Sequence, residues 1–238
     1  FGLPAIWIES GLRDQAQALG YTVVDAGTVL ATHLNHVILS HAADLLGRQE
    51  TQALLDHLAK DAPKLIEELV PKLVSVSIVQ RVLQNLLEEG VNIRDMHTII
   101  ETLAEYAPRT QDPLELTTQV RIALGRAIVQ QIYPGNTEMN VMTIDPGLER
   151  VLGQALQGPG GSGVIEPGLA DALLQETVAA AQRQEETGLP AVLLVPNHLR
   201  WLLSRFLRRA VPTLRVISNA EVPDSRTIRV TAIIGAPS

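Results

Sequence analysis

Apolar residues in the first half of the chain recur at intervals of three and four positions, which places them on one face of a helix. One such stripe predicts a long helix over about 28–46. Further helices follow, and they end at Gly or shortly before Pro. Their predicted bounds are 50–59, 62–70, 78–89 with Ser77 as the N-cap, 95–106 with Asp95 at its start, and 113–131. The pattern predicts an all-helical subdomain over 46–126, with a minor strand near 73–75.

The period changes after Pro134 and Gly135, where short apolar runs typical of buried strands alternate with helical segments. The predicted strands are 141–144, 192–195, 214–217 and 228–234. The predicted helices are 146–156, 169–186, and a third from about 197 to 209 with Asn197 as its N-cap. This alternation predicts a C-terminal α/β subdomain over 127–238.

The beginning of the chain predicts a β-α-β unit, with strands at 5–8 and 21–24 around a helix that ends at Gly20. Such a unit is too small to close a core by itself. We therefore interpret residues 1–25 as the truncated end of a small α/β subdomain, and 26–45 as a helix that belongs to it. The predicted fold class is α+β and multidomain.

Composition narrows the choice of partners and compartment. Hydrophobic residues make up 46% of the chain and aromatic residues 3%, which predicts cores of Leu, Val, Ile and Ala. A formal charge of −7 argues against nucleic acid as the main partner. The absence of Cys excludes disulfides and thiolate metal sites and favours a reducing compartment. No apolar run approaches the roughly 18 residues of a membrane helix. Phe1 is not a start residue, so we expect the chain to begin inside a longer protein.

Residues that could carry chemistry do not form a catalytic set. His33 and His36 stand three apart on the predicted helix, but two ligands do not make a metal site. The glycines between 158 and 163 lack the Lys-Ser or Lys-Thr of a phosphate-binding loop and predict a surface loop. Ser204 and Ser218 lack the Gly-x-Ser-x-Gly turn of a hydrolase.

Charged residues predict solvated helix faces. The most basic short segment contains Arg200, Arg205, Arg208 and Arg209, which favours either an exposed helix face or contact with an acidic neighbouring subunit or partner. The pairs Glu67-Glu68, Glu88-Glu89 and Glu185-Glu186 are adjacent in sequence and therefore point to different sides of their helices. They are interpreted as solubilising residues.

Four parts of the sequence together resemble one family. They are YTVVDAGTVLATHLNHVILSHAADLLGRQE (21–50), LVPKLVSVSIVQRVLQNLLEEGVNIRDMHTIIETLAEYA (69–107), QVRIALGRAIVQQ (119–131), and EPGLADALL (166–174) with LSRFLRR (203–209). The chain resembles the C-terminal cytoplasmic part of the flagellar export-gate family and its virulence type III secretion relatives. The Gly-rich stretch at 158–163 departs from the family pattern.

The resemblance implies an architecture of four cytoplasmic subdomains assembled into a homo-nonameric ring. Residues 1–25 would be the end of the second subdomain, and 26–45 the helix that returns to the first. Residues 46–126 would be the helical third subdomain and 127–238 the α/β fourth. A membrane domain would precede them, so the chain would lie at the cytoplasmic face of the bacterial inner membrane.

The function implied by the resemblance is docking without catalysis and without a cofactor. Members of the family receive export chaperones loaded with substrate and contact other export-apparatus proteins. Flagellar export is favoured by the motifs Thr-His-Leu-Asn-His and Arg-Asp-Met-His. The alternatives are a virulence secretion component, a nucleotide-dependent α/β enzyme, and a helical scaffold with no role in secretion.

The resemblance also implies a docking site, a hydrophobic dimple between two subdomains. Phe1 and Thr32 match the family's dimple residues, and Leu3, Val24 and Val29 match apolar positions that line it. From the sequence alone, Phe1 could equally pack in a core.

Overall fold

The computed structural model describes residues 4–135, 138–157 and 165–235 and shows an α+β fold. The helices are α1 Arg13–Ala18, α2 Ala26–Ser40, α3 Ala42–Leu45, α4 Arg48–Leu58, α5 Pro63–Leu69, α6 Val76–Glu88, α7 Met96–Tyr106, α8 Pro113–Ala123, α9 Gly125–Ile132, α10 Pro146–Gln157, α11 Pro167–Glu186 and α12 Asn197–Leu207. The strands are β1 Glu138–Ile144, β2 Val192–Val195, β3 Arg215–Ser218 and β4 Thr227–Ile234. Short 3-10 turns occur at Ser10–Leu12 and Asn219–Glu221.

Helices α4 to α9 share one apolar core, in which α6 packs against α3, α4 and α8 and buries its apolar stripe. Its buried residues are Val79, Val82, Leu83 and Leu86. The helix begins earlier than predicted, because the Oγ of Ser75 accepts a hydrogen bond from Ile78 N at 3.3 Å and makes Ser75 the N-cap. The prediction of Ser77 as the cap is wrong, and so is the minor strand at 73–75, which is a turn.

The single helix predicted over 113–131 is two helices, α8 and α9, separated at Leu124. Gly125 packs so closely on the Glu221 backbone that a Cβ there would overlap its carbonyl oxygen. The break therefore brings the end of α8 against the 3-10 turn at Asn219–Glu221. Glycine allows this approach because it has no side chain.

The described strands form one parallel sheet in the order β3-β2-β1-β4, which confirms the predicted strands. One face packs into the helical core through residues such as Val141 and Val192. The other face, with Met142 and Leu193, packs into a second core with α10, α11 and α12. The first core therefore extends across residue 126, and the predicted subdomain boundaries remain predictions.

The cap predicted for the last long helix is also wrong. Asn197 is the first helical residue of α12, and Pro196 occupies the N-cap position without a side-chain hydrogen bond. Pro is suited to the edge of a helix because it offers no N–H of its own. The other helix predictions of this part are confirmed within a few residues by α10 and α11.

The strands predicted at 5–8 and 21–24 are wrong, because the chain makes no strand pairing there. A strand needs a partner for its backbone N–H and C=O groups, and two short segments around α1 do not provide one. The helices between and after them do form, since a helix satisfies its own hydrogen bonds. No residue from 4 to 45 is buried.

Candidate docking surface

The predicted docking residues lie where α2 begins. Asp25 is the N-cap, and its Oδ1 accepts a hydrogen bond from Thr28 N at 2.9 Å. Its Oδ2 accepts a second one from Thr28 Oγ1 at 2.6 Å. These bonds from Thr28 hold the pKa of the Asp25 carboxyl below its ordinary value. The cap thus sets the geometry of the chain entering the helix.

Val24 and Val29 stand on either side of this cap, at the two positions of a hydrophobic staple. Their side chains are 49% and 47% exposed, so this apolar pair faces outward. Thr32 is one turn further along α2 and is also exposed. Three of the five predicted site residues are therefore neighbours on one end of a helix. Phe1 and Leu3 lie outside the described residues.

The surroundings of these residues are apolar to a degree that is unusual for a protein surface. Large hydrophobic side chains are exposed along the whole stretch from 4 to 45, led by Ile6 at 89% and Trp7 at 86% exposure. The others are Ile8, Leu12, Leu19, Tyr21, Leu30, Leu34, Val37, Ile38, Leu39 and Leu45. Exposed apolar area of this extent favours association with another protein surface. Sequence reasoning did not select Ile6 or Trp7, although Trp7 is one of two Trp residues.

The exposed stretch is anchored to the helical core at its C-terminal end. Leu46 is buried, and its carbonyl oxygen accepts hydrogen bonds from Gln84 Nε2 at 2.9 Å and Gln80 Nε2 at 3.2 Å. Both amides belong to α6. The apolar stretch therefore projects from a fixed point on the helical part.

The histidines of α2 do not make a metal site. Among the described residues, no group of three or more His, Cys, Asp or Glu side chains is placed to hold a metal ion. His41 follows α2 and pairs with Asp44 across 3.1 Å between Nδ1 and Oδ2. Within the described ranges, no helix has both the length and the apolar character needed to cross a bilayer.

The arginines of α12 differ from the predicted solvated face. Arg200 is 1% exposed, and its Nη1 donates to Glu89 Oε2 at 2.6 Å. Arg208 donates to the carboxylate of Glu88 at 3.2 Å. The acidic neighbour of this basic segment is thus within the same chain, at the end of α6. The prediction that both members of Glu88-Glu89 are solubilising residues is wrong for Glu89, whose side chain is 13% exposed.

Arg205 does fit the prediction of an exposed position. Its guanidinium lies 5.3 Å from the centre of the Trp201 ring, a cation–π distance. The serines have structural roles: the Oγ of buried Ser218 donates to Glu221 Oε1 at 3.3 Å, and Ser204 lines a cleft beside α6. The Gly-rich segment at 158–163 lies outside the described residues.

The carboxyl end of the sheet is where α/β proteins usually bind small ligands. Asp145 follows β1 there, but its Oδ1 accepts hydrogen bonds from Gly147 N at 2.7 Å and Leu148 N at 3.3 Å and thereby caps α10. A shallow depression of about 430 Å³ lies beside it. Its lining is mainly polar, with Pro146, Glu149, Arg150, Gly153, Gln154 and His198. Small-molecule pockets are mostly apolar, so this depression offers little support for an enzyme.

Comparison with known sequences gives a family match along most of the chain. Residues 1–227 match the sequence model of the FHIPEP family. The chain is 61% identical over 235 residues to the flagellar biosynthesis protein FlhA of Escherichia coli K12. The match covers 99% of this chain and 34% of that protein, so the chain spans about a third of its relative's length.

Solved structures show the same fold. The cytosolic domain of EscV, from a type III secretion system and solved as a nonamer, matches with a TM-score of 0.80 and 26% identity. That match covers 94% of this chain and 68% of the EscV chain. The Chlamydia pneumoniae CdsV protein matches with a TM-score of 0.88 at 23% identity and covers 98% of this chain and 68% of its own. The names of these relatives refer to biosynthesis and secretion and not to a catalysed reaction.

Proposed function

Because the chain belongs to the FHIPEP family, we propose that it is part of the cytoplasmic platform of a flagellar type III protein export gate. The platform binds export chaperones loaded with their substrates and takes no part in catalysis. The observation that supports this proposal is the exposed apolar pair Val24 and Val29 at the capped start of α2. An apolar centre with a polar rim is the usual composition of a surface that binds proteins.

The docking site contains Val24, Val29 and Thr32, together with Phe1 and Leu3. The two valines contribute apolar area, and the Thr32 hydroxyl supplies a polar group at the edge. The Asp25 cap orients them by fixing the first turn of α2. Because a cargo must be released after delivery, binding through this small patch is weak and transient.

The subdomain division supports a site at a junction. Residues 1–25 and 26–45 belong to the preceding subdomains of the longer protein, 46–126 form the helical subdomain, and 127–238 form the last one. Part of the exposed apolar face is covered by those preceding subdomains, and the remainder forms the dimple between them. The burial boundary at Leu46 is consistent with this division.

The proposed oligomeric state is based on the nonameric cytosolic domain of EscV. EscV forms a nonamer through its cytosolic domain, and copies of this chain associate side by side in a similar ring through their helical and C-terminal parts. The ring lies at the cytoplasmic face of the bacterial inner membrane, to which the longer protein is anchored by other segments. Virulence secretion is the alternative, and the structural similarity to EscV supports it. The 61% identity to a flagellar protein favours flagellar export instead.

The test is a binding titration of a flagellar chaperone–substrate complex against the full cytoplasmic region. Val29→Asp should weaken binding at least about tenfold, because it places a charge in the apolar centre of the site. Val151→Asp is the matched control, since Val151 is the same residue type with 49% exposure on α10. Equal affinity of both variants and the parent would contradict the assigned site.

A further inference from the structure

Ionic contacts at the C-terminal end of α6 join the helical part, α4 to α9, to the α/β part, which contains β1 to β4 and α10 to α12. Glu89 Oε2 accepts a hydrogen bond from Arg121 Nη1 at 2.7 Å and another from Arg200 Nη1 at 2.6 Å. Arg121 belongs to α8 in the helical part, and Arg200 belongs to α12 in the α/β part. One carboxylate therefore binds a cation from each of the two parts. We call this interface between the two parts the seam.

A second carboxylate completes the connection. Glu221, from the turn after β3, accepts hydrogen bonds from Arg121 Nη2 at 2.7 Å and Nε at 3.1 Å. Its Oε1 also lies 3.5 Å from Arg200 Nε. Arg121, Arg200 and Glu221 are each no more than 2% exposed. Their ion pairs are consequently screened far less by salt than pairs on the surface.

Arginines of the α/β part also bind the last backbone carbonyl groups of α6. An α-helix leaves its last carbonyl groups without partners in the helix. Here Arg208 Nη1 donates to Glu88 O at 2.9 Å and Arg215 Nη1 donates to Glu89 O at 2.9 Å. Both arginines come from the α/β part and place positive charge at the negative end of the helix dipole.

The charges at the seam do not balance. Three buried or half-buried cations, Arg121, Arg200 and Arg215, lie around two carboxylates, the buried Glu221 and the partly buried Glu89. Burial, and after it the charge of Arg121, lowers the pKa of Arg200 and of Arg215. Among the described atoms, Arg200 Nε and Nη2 have no hydrogen-bond partner. Each carboxylate is therefore essential to the pairing.

We propose that Glu89 is a latch that fixes the angle between the helical part and the α/β part. The apolar contacts of Val141, Val192 and Ile217 with the helical core hold the two parts together. Such contacts are not directional, so by themselves they do not fix an angle. Short, charge-assisted hydrogen bonds are directional, and Glu89 has one to each part. Neutralising Glu89 widens the range of this angle, which the Glu221–Arg121 pair and the apolar contacts still limit, while each part keeps its fold.

Glu88 provides a matched control at the neighbouring position. Its carboxylate pairs with Arg208 alone, and both side chains are about two-fifths exposed, at 42% and 40%. An exposed pair of this kind contributes little to stability. Glu88→Gln and Glu89→Gln are the same chemical change one residue apart, so they separate the latch from a general loss of negative charge.

The experiment measures a distance between spin labels on the two parts. The sequence contains no Cys, so Lys64→Cys on α5 and Gln175→Cys on α11 provide one exposed label on each side. With Glu89→Gln we expect a broader or additional distance population, and an unchanged helical circular dichroism spectrum. With Glu88→Gln we expect the parent distribution. Glu89→Asp keeps the charge with a shorter reach and serves if Glu89→Gln does not fold; it should broaden the distribution in the same direction.

A double variant distinguishes the latch from charge balance. Glu89→Gln with Arg200→Met restores the parent's net charge at this interface but leaves no connection through Glu89. The latch predicts that its distance distribution remains broad. A return to the narrow distribution, or equal distributions for the parent, Glu88→Gln and both Glu89 variants, would overturn the proposal. The result does not depend on chaperone binding and so is independent of the proposed function.

Discussion

Glu89 and Arg200 are separated by 111 positions in the chain, and their side chains meet at 2.6 Å. The contact joins the end of α6 to the first turn of α12. In the sequence both residues resemble solvated surface charges, but in the structure they form a largely buried ion pair between the two parts. The same seam produces the first prediction.

Removing a carboxylate from the seam should cost more than removing a cation, because the cations are in excess there. Glu221→Gln should lower the free energy of unfolding by about 3 kcal/mol, the scale for breaking a buried pair. Arg200→Met should cost less than about 1 kcal/mol, since Arg121 keeps both carboxylates paired. Urea unfolding monitored by circular dichroism measures both values. The reverse order would contradict the charge count.

Gly125 should not tolerate a side chain. Gly125→Ala places a methyl group against the Glu221 carbonyl and should destabilise the protein by about 1–3 kcal/mol through overpacking. Gly168→Ala on α11 is the control, because the nearest atom to its Cβ would lie 3.8 Å away. The control should be neutral or slightly stabilising, since Ala favours helix over Gly. Thermal unfolding of the two variants compares them directly.

Tyr133 links alkaline pH to stability. Burial raises the pKa of the Tyr133 phenol above its ordinary value of 10.0, and its O–H donates to Asn140 O at 2.5 Å. The unfolded state therefore ionises first, and stability is complete below about pH 10 and declines as the pH rises further. Tyr133→Phe should remove this decline. A stability profile between pH 8 and pH 11 with the same slope in both proteins would contradict the assignment.

Asp25 links acid pH to the first turn of α2. Its pKa is lowered by hydrogen bonds from Thr28, so its stabilising effect is present above its ordinary value of 3.8 and is lost as the pH falls below it. Asp25→Ala should accelerate amide hydrogen exchange at Thr28 at neutral pH, whereas Asp25→Ser should keep the cap. Exchange rates that are equal in Asp25→Ala and the parent would show that the cap does not order this turn.

Local patterns were sufficient for most elements of this protein. Periods of three and four predicted α4 to α7, and short apolar runs between helical segments predicted β1 to β4. These signals are readable because burial on one face imposes a repeat on the residues themselves. The predicted caps were wrong at Ser77 and Asn197, whereas Asp95, predicted only to start its helix, is the N-cap of α7. Any polar residue near a helix start is a candidate cap, and the residue at which the helical backbone begins decides which one is the N-cap.

The wrong predictions of strands 5–8 and 21–24 and of a single helix over 113–131 have one cause. Each of these elements depends on a contact with a segment distant in the chain. The segments 5–8 and 21–24 have strand-like sequences but lack neighbouring strands, and an extended chain cannot satisfy its own hydrogen bonds. The break at Leu124 depends on the approach of Glu221, nearly a hundred positions later. For the docking site, the resemblance selected Val24, Val29 and Thr32, and the structure places them together on one exposed helix end.

The sequence by itself determined most of the helices, the four strands of the C-terminal part and the family, since each depends on residues close together along the chain or on long shared motifs. Only the tertiary structure decided which charges are buried. Burial of Arg121, Arg200 and Glu221 depends on where distant elements meet. A charge on an amphipathic helix has the same sequence signature whether water or an opposite charge from another subdomain lies beside it.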